Sequence, residues 1–337
     1  MDRKLQIGVI GAGRIAQLHI DNLAYRIPEA EVVGIADINF ERAEEIAKKY
    51  KIINVYEDYK ELLGNPDVDA VFICSTTDTH SPVSIAAAKA GKHIFCEKPI
   101  DRKLERIIPV LEEIKKAGVK YQVAFNRRFD HSYKHVRDVV REGKIGNVHI
   151  VKITARDPKL APISYLKDSG GLFLDMCTHD FDMVRFLSGS EIVEVTAIGA
   201  CLVDKSVEKI GDIDTAITTM KLSNGALAVI DNSRQAVYGY DQRVEVFGSK
   251  GCVCADNATG DTTSIYTVEA VTKNKPLWDF LERFNDAYVE EARCFIDSCL
   301  NGAEIKADAN DGLQSIKAAL AAARSWKLGG IPVKVEE

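Results

Sequence analysis

Nowhere among the 337 residues do eighteen or more apolar residues run together, so no segment is long enough to cross a bilayer as a helix. The opening residues, MDRKLQIGVI, run into a glycine-rich turn and lack the small-residue cleavage site of a leader, so a cytoplasmic location with no membrane partner is expected. No basic run is longer than a pair such as Arg127-Arg128 and the net charge is −6, which argues against nucleic acid as a ligand. The eight cysteines, Cys74, Cys96, Cys177, Cys201, Cys252, Cys254, Cys294 and Cys299, include no CxxC, and each sits in an apolar strand-like or helix-like stretch. They are read as reduced, mostly buried thiols rather than a disulfide framework or zinc site. Internal repeats and low-complexity segments are also missing. What is present is a chain 46% hydrophobic, long enough for about two domains, whose expected partner is a small molecule.

Five near-continuous apolar runs, at 5–11, 31–37, 70–76, 93–99 and 121–126, have the character of parallel strands covered on both faces. The stretches between them, at 14–26, 40–50, 80–90 and 104–117, carry helical spacing with polar outer faces, so a doubly wound α/β Rossmann domain is predicted over 1–123. A helix at 130–142 then leads into period-two strands at 148–155, 192–203, 213–222, 226–234, 242–248 and 252–256. Ser223-Asn224-Gly225 and Gly248-Ser249-Lys250-Gly251 are hairpin signals, because these residues tolerate the angles of tight turns. Residues 124–337 are therefore predicted to form an α+β domain with a large, mostly antiparallel open sheet. Helices at 277–300 and 311–328 close the chain, the second with capping candidates Asp308 and Asn310 and a stop at Gly329-Gly330. Phe284, Tyr288, Phe295 and Cys299 recur at helical spacing and read as core.

Gly11-Ala12-Gly13-Arg14-Ile15-Ala16 follows the first strand and opens the first helix, the position a GxGxx[GA] fingerprint needs to bind a pyrophosphate. Gly11 permits the turn, Gly13 lets phosphates approach the backbone, and Ala16 lets the helix pack closely on the sheet. Asp37 ends the second strand, where a carboxylate can accept hydrogen bonds from the adenosine ribose and would repel a 2′-phosphate. The following Ile38 and Asn39 carry no positive charge, so NAD is favoured over NADP, although Arg42 lies within a turn and Asp37 could instead cap a helix. Ser75, Thr76 and His80 follow the third apolar run at the sheet's carboxyl edge and are expected along the cofactor, with a capping role for Thr79 or His80 the alternative.

Glu97-Lys98-Pro99 ends the next strand, and proline biases Lys98 away from helix, so a rigid turn presents the lysine. Further on, Gly170 to Leu187 carries helical spacing on which Asp175 and His179, four apart, share one face. A carboxylate beside an imidazole suits a base that takes a proton from an alcohol. A metal reading of His179, Asp180 and Asp182 is weaker, because these spacings do not all face one way; no metal is expected.

With Glu97-Lys98-Pro99 and a distal Asp175-x-x-x-His179 behind a dinucleotide fingerprint, the chain resembles the Gfo/Idh/MocA oxidoreductase family over its whole length. Phe125 to Asp130, Ala155 to Pro158, His179 to Asp182, Asp231 to Arg234 and Tyr238 to Asp241 are similar to its inositol dehydrogenase branch. Lys159-Leu160-Ala161-Pro162 departs from the proline-rich sequence of many relatives. The resemblance implies an enzyme of inositol catabolism that oxidises a secondary hydroxyl of a cyclic polyol with NAD. Myo-inositol is the expected substrate, and another inositol isomer or a hexose the alternative. A non-catalytic NAD-sensing protein is the reading from a different class. By the same resemblance Lys98 holds the reacting hydroxyl, His179 takes its proton and Asp175 orients His179, with Glu97 and Lys98 beside the cofactor. Arg127, Asp157, Tyr238 and Tyr240 are candidates for the remaining ring hydroxyls, since a polyol needs several placed donors and acceptors. The second domain is then a substrate-binding and oligomerisation domain, and the family's usual state is a homotetramer.

Overall fold

The structure, a computed structural model, describes residues 3–336; residues 1, 2 and 337, which the opening segment and the domain spans above include, lie outside the described residues. The chain divides into two compact units, Met1–Phe129 with Asp286–Ile316 and Asp130–Asn285 with Lys317–Glu337. A single boundary at 123/124 therefore does not describe it. Residues 286–316 return to the first unit because Val289, Ala292, Phe295 and Ile296 bury in the same apolar core as Ile7, Val9, Ile20 and Phe72.

The first unit runs β1 (Leu5–Ile10), α1 (Arg14–Tyr25), β2 (Ala30–Ala36), α2 (Phe40–Tyr50), β3 (Asn54–Tyr56), α3 (Tyr59–Gly64), β4 (Ala70–Ile73), α4 (Thr77–Lys89), β5 (His93–Cys96), α5 (Leu104–Ala117) and β6 (Tyr121–Val123). Its strands form one parallel sheet of order β3-β2-β1-β4-β5-β6. β4 is buried at every residue, as a strand covered on both faces must be. Strand order reverses between β1 and β4, so the loops after these two strands flank the switch point where open α/β sheets bind ligands. The short β3 and α3 carry too few residues to display a period, and no strand or helix was expected there.

The second unit runs α6 (His131–Arg141), β7 (Val148–Arg156), α7 (Ile163–Ser169), α8 (Leu172–Asp175), α9 (Thr178–Ser188), β8 (Ile192–Ala200), β9 (Thr215–Leu222), β10 (Leu227–Ser233), β11 (Asp241–Gly248), β12 (Gly251–Ala255), β13 (Ser264–Tyr266), β14 (Val271–Lys273) and α10 (Phe280–Arg283). After α11 (Asn285–Asn301), helix α12 (Ala309–Lys327) is shared between the units and β15 (Val333–Lys334) ends the second. Its main sheet has the order β12-β11-β7-β10-β9-β8-β15. Every pair is antiparallel except β7 with β10. Both hairpin signals hold: Gly225 takes a φ of +87° between β9 and β10, and Gly248 pairs with Gly251 across β11 and β12. Asp308 accepts from the Asp311 amide at the start of α12.

Alternation in β9 buries one face and exposes the other. Ile150, Ile198, Ile217, Leu227 and Phe247 stand on exposed positions of these strands. All cysteines are free; Cys74, Cys96, Cys177 and Cys201 are buried, but Cys252 and Cys254 are exposed because β12 is an edge strand. Phe284, Tyr288 and Phe295 are buried as expected, while Cys299 is half-buried. Among the described residues no helix is long and apolar enough to cross a membrane.

Candidate active site

The dinucleotide edge of the first unit is built by β1, β2 and β4. Gly11 has a φ of +104°, and a Cβ there would lie 2.7 Å from the Cys74 carbonyl, so the turn requires glycine. Gly13 differs: its φ is −75°, it begins α1 with no side-chain cap, and a Cβ there would meet nothing within 4 Å. Open space in front of a helix N-terminus fits a pyrophosphate, and the amides of Arg14 and Ile15 belong to that first turn. Ala16 is fully buried, as close packing of the helix demands. Asp37 accepts from the Ala12 amide at 2.6 Å and the Asn39 amide at 2.7 Å, which ties its carboxylate to the fingerprint turn. The cap of α2 is Asn39, not Asp37. After β4, Ser75 Oγ meets Thr79 Oγ1 at 2.6 Å and Thr76 caps α4 by position.

His80, expected along the cofactor, turns both ring nitrogens to backbone carbonyls. Its ring is buried, with Nδ1 2.7 Å from the Pro99 carbonyl and Nε2 3.1 Å from the Ser75 carbonyl, so both nitrogens are engaged by protein. The Glu97-Lys98-Pro99 turn, whose Lys98-Pro99 bond is cis, is gripped from a second helix too. His19 of α1, fully buried, places Nε2 2.9 Å from Glu97 Oε1. The Lys98 amide donates to Glu97 Oε2 at 3.3 Å. A further carboxyl, Glu291 of α11, is wholly buried; burial, then the charge of Glu97, pushes its pKa well above the usual carboxylate range. Sequence reasoning missed His19 and Glu291. His19 sits two turns into a helix with no local signal, although its spacing from the fingerprint was available. Arg127, in the turn after β6, is buried in the first unit.

In the second unit the predicted single helix over 170–187 is broken into α8 and α9, with Asp175 ending the first and His179 in the first turn of the second. The Cys177 amide donates back to Leu172 rather than to Phe173, which interrupts the regular ladder. Gly171, at a φ of +88°, lets the Leu172 amide reach Asp212 Oδ1 at 2.9 Å; a Cβ would sit 2.9 Å from that oxygen. Asp175 accepts from the Tyr165 hydroxyl at 2.9 Å and from both terminal nitrogens of Arg234 at 3.4 Å. Arg234 also faces Asp212 at 3.8 Å. Burial, then Asp175, pushes the Tyr165 phenol well above its ordinary value, and Asp157 is close enough to add to that. Tyr165 and Asp212 were invisible in sequence, because their roles arise from elements distant along the chain.

Asp180 accepts from Asn232 at 2.8 Å and Asp182 pairs with Arg185, so these acids take part in buried ion pairs and hydrogen bonds. Tyr238 donates to Asp241 at 2.6 Å and accepts from Arg156, while Tyr240 is buried edge-on against Phe284. Neither tyrosine is gathered with Asp175 by these contacts. Among the described residues one trio has metal-ligand spacing: Glu245, Cys252 and Cys254, within 4.8 Å of one another on β11 and β12.

Residues 5–125 match a family described as an oxidoreductase family with an NAD-binding Rossmann fold, and residues 133–254 match the GFO/IDH/MocA C-terminal domain. The chain belongs to the Gfo/Idh/MocA oxidoreductase family. It is 48% identical, over 100% of its length and 98% of the relative's, to an uncharacterized oxidoreductase of Bacillus subtilis strain 168. It is 45% identical to the myo-inositol 2-dehydrogenase of Thermotoga maritima, over 95% of this chain and 96% of that one. A crystal structure of a probable dehydrogenase from Thermotoga maritima superposes with a TM-score of 0.96 at 44% identity, covering 98% of this chain and 99% of that chain. The scyllo-inositol dehydrogenase of Lactobacillus casei, crystallised with NAD(H) and scyllo-inositol, has a TM-score of 0.93 at 32% identity, covering 99% of each chain. This Gfo/Idh/MocA chain is thus an NAD-dependent oxidoreductase acting on a CH–OH group, and its cofactor is NAD.

Proposed function

We propose that this enzyme oxidises the 2-hydroxyl of myo-inositol to 2-keto-myo-inositol (scyllo-inosose). The observation that carries the substrate is the 45% identity, over nearly both full lengths, to a protein named myo-inositol 2-dehydrogenase. When bound, NAD+ accepts at its C4 the hydride that leaves the ring carbon. Lys98 hydrogen-bonds the reacting oxygen and stabilises its developing charge, and His179 takes the hydroxyl proton. Asp175, itself held by Tyr165 and Arg234, is assigned to orient His179. Arg127 and Asp157 are assigned to the other ring hydroxyls; Tyr238 and Tyr240 are weaker candidates, since their contacts lie elsewhere. A homotetramer built on the exposed apolar face of the seven-stranded sheet belongs to the same reading, because such faces are usually covered.

A second substrate, scyllo-inositol, is favoured by the Lactobacillus casei neighbour. NADH formation at about 340 nm with myo-inositol, scyllo-inositol, chiro-inositol and glucose decides between them. Turnover of myo-inositol that is abolished by Lys98→Ala and by His179→Ala supports the proposal; preference for scyllo-inositol or glucose overturns the substrate, and full activity in either variant overturns the assigned role.

A further inference from the structure

Both ring nitrogens of buried His80 face atoms that can only accept hydrogen bonds: the Pro99 carbonyl at 2.7 Å and the Ser75 carbonyl at 3.1 Å. A neutral imidazole carries one N–H, so in that form one contact would set a lone pair against a carbonyl oxygen. Only the imidazolium donates to both. We propose that His80 is a doubly protonated positioning residue that pins the Glu97-Lys98-Pro99 turn to the loop after β4, and is not a ligand of the cofactor.

Three further observations bear on this. Burial opposes the charge, yet Cys96 and the two carbonyls outweigh it and raise the ring to about 9. The titratable groups that act on it are Cys96 on β5, which raises the ring, and Asp78 on α4 itself, whose carboxyl is held below its ordinary value first by a hydrogen bond with Thr76 and in smaller part by Arg102 and the ring. The next residue of the same helix repeats the arrangement, since Ser81 Oγ donates to the Ile100 carbonyl at 3.2 Å. Consecutive residues of α4 therefore hold consecutive carbonyls immediately after Lys98, while His19 of α1 holds the carboxylate immediately before it. Both helices begin at the switch-point loops, so the turn that carries the lysine is built into the frame that receives the dinucleotide. The functional consequence rests on the role assigned to Lys98 above.

The test has two arms. In the wild-type protein with 15N-labelled histidine, NMR at about pH 7.5, a unit above the ordinary histidine pKa, is expected to show both His80 ring nitrogens protonated. A neutral-tautomer spectrum overturns the charged state. In the second arm His80→Gln, which keeps one donor, and His80→Phe, which keeps none, are compared for kcat and for NADH affinity by fluorescence titration. A positioning role lowers kcat by about tenfold or more, less in His80→Gln than in His80→Phe, while the NADH Kd moves by less than about twofold. A Kd that weakens in step with kcat makes His80 a cofactor ligand, and an unchanged kcat removes the positioning role; either result overturns the proposal. Lys98→Ala in parallel separates the two readings: retained activity there sinks the role of the lysine alone, and the NMR arm still decides the state of His80.

Discussion

His19 Nε2 lies 2.9 Å from Glu97 Oε1, across 78 residues of chain. The imidazole is fixed edge-on to Phe72, Phe95 and Tyr288 at centroid distances of 5.6, 5.1 and 5.9 Å, so the partner of Glu97 cannot swing away. Replacing His19 by Leu leaves a mostly buried carboxylate without this partner and beside Glu291. A stability loss of about 1–3 kcal/mol is expected in urea unfolding. Glu97→Gln added to His19→Leu should recover part of it, because the uncompensated charge is gone; strictly additive losses would show that the two side chains are not coupled.

The two fingerprint glycines should fail in different ways. Gly11→Ala collides with the Cys74 backbone from a positive φ and is expected to lower the stability of the ligand-free protein by at least about 1–2 kcal/mol. Gly13→Ala has room in the fold but fills the space before α1. It should unfold like wild type without ligand and lose most of the stabilisation that NAD gives, which for wild type at a hundred times its Kd is about 2.7 kcal/mol. Equal NAD-induced shifts in Gly13→Ala and wild type would overturn the phosphate assignment.

Asp37, the acid assigned to the ribose, is bonded to the Ala12 and Asn39 amides. Asp37→Ser removes its charge, so kcat/KM is expected to fall for NAD+ and rise for NADP+, each by on the order of tenfold. Unaltered preference would mean that discrimination lies in other residues.

Glu291 gives a pH signature in stability. Its folded pKa lies well above the ordinary carboxylate value, so the folded state holds the proton over a pH range where the unfolded chain has released it. Its contribution is fully present below the unfolded pKa of about 4.5 and declines as pH rises toward the folded value, by up to about 1.4 kcal/mol per unit. Glu291→Gln, uncharged throughout, should therefore gain thermal stability over wild type, more at pH 8 than at pH 5 by about 2 °C or more. A difference independent of pH would show that Glu291 ionises normally.

Around Asp175, Tyr165→Phe deletes one hydrogen bond to a carboxylate. A kcat lowered about tenfold with an unchanged NADH Kd is expected, since the lost bond is worth about 1.5–3 kcal/mol and serves the assigned base alone. A selective rise in NADH Kd would contradict that.

The parallel sheet was legible because strands buried on both faces must be apolar throughout, and the antiparallel one because a half-buried strand must alternate. Gly11 was legible for a similar reason: a tight turn against neighbouring backbone constrains residue type locally. Three features were not. The break between α8 and α9 comes from one displaced backbone bond at Cys177, which helical spacing cannot register. The inward turn of His80 depends on two carbonyls, one of them 19 residues away. The grouping of Tyr165, Arg234 and Asp212 around Asp175 joins α7 and loops from separate parts of the second unit.

Local period and residue chemistry by themselves determined two sheets, a dinucleotide turn and the presence of Lys98, Asp175 and His179. Tertiary structure alone decided that residues 286–316 return to the first unit, that His19 and Glu291 stand behind Glu97, and which polar atoms His80 uses. The reason is physical. Periodicity reports which face of an element leaves water, but not which distant element meets it, and a buried polar group is defined by the partner it finds.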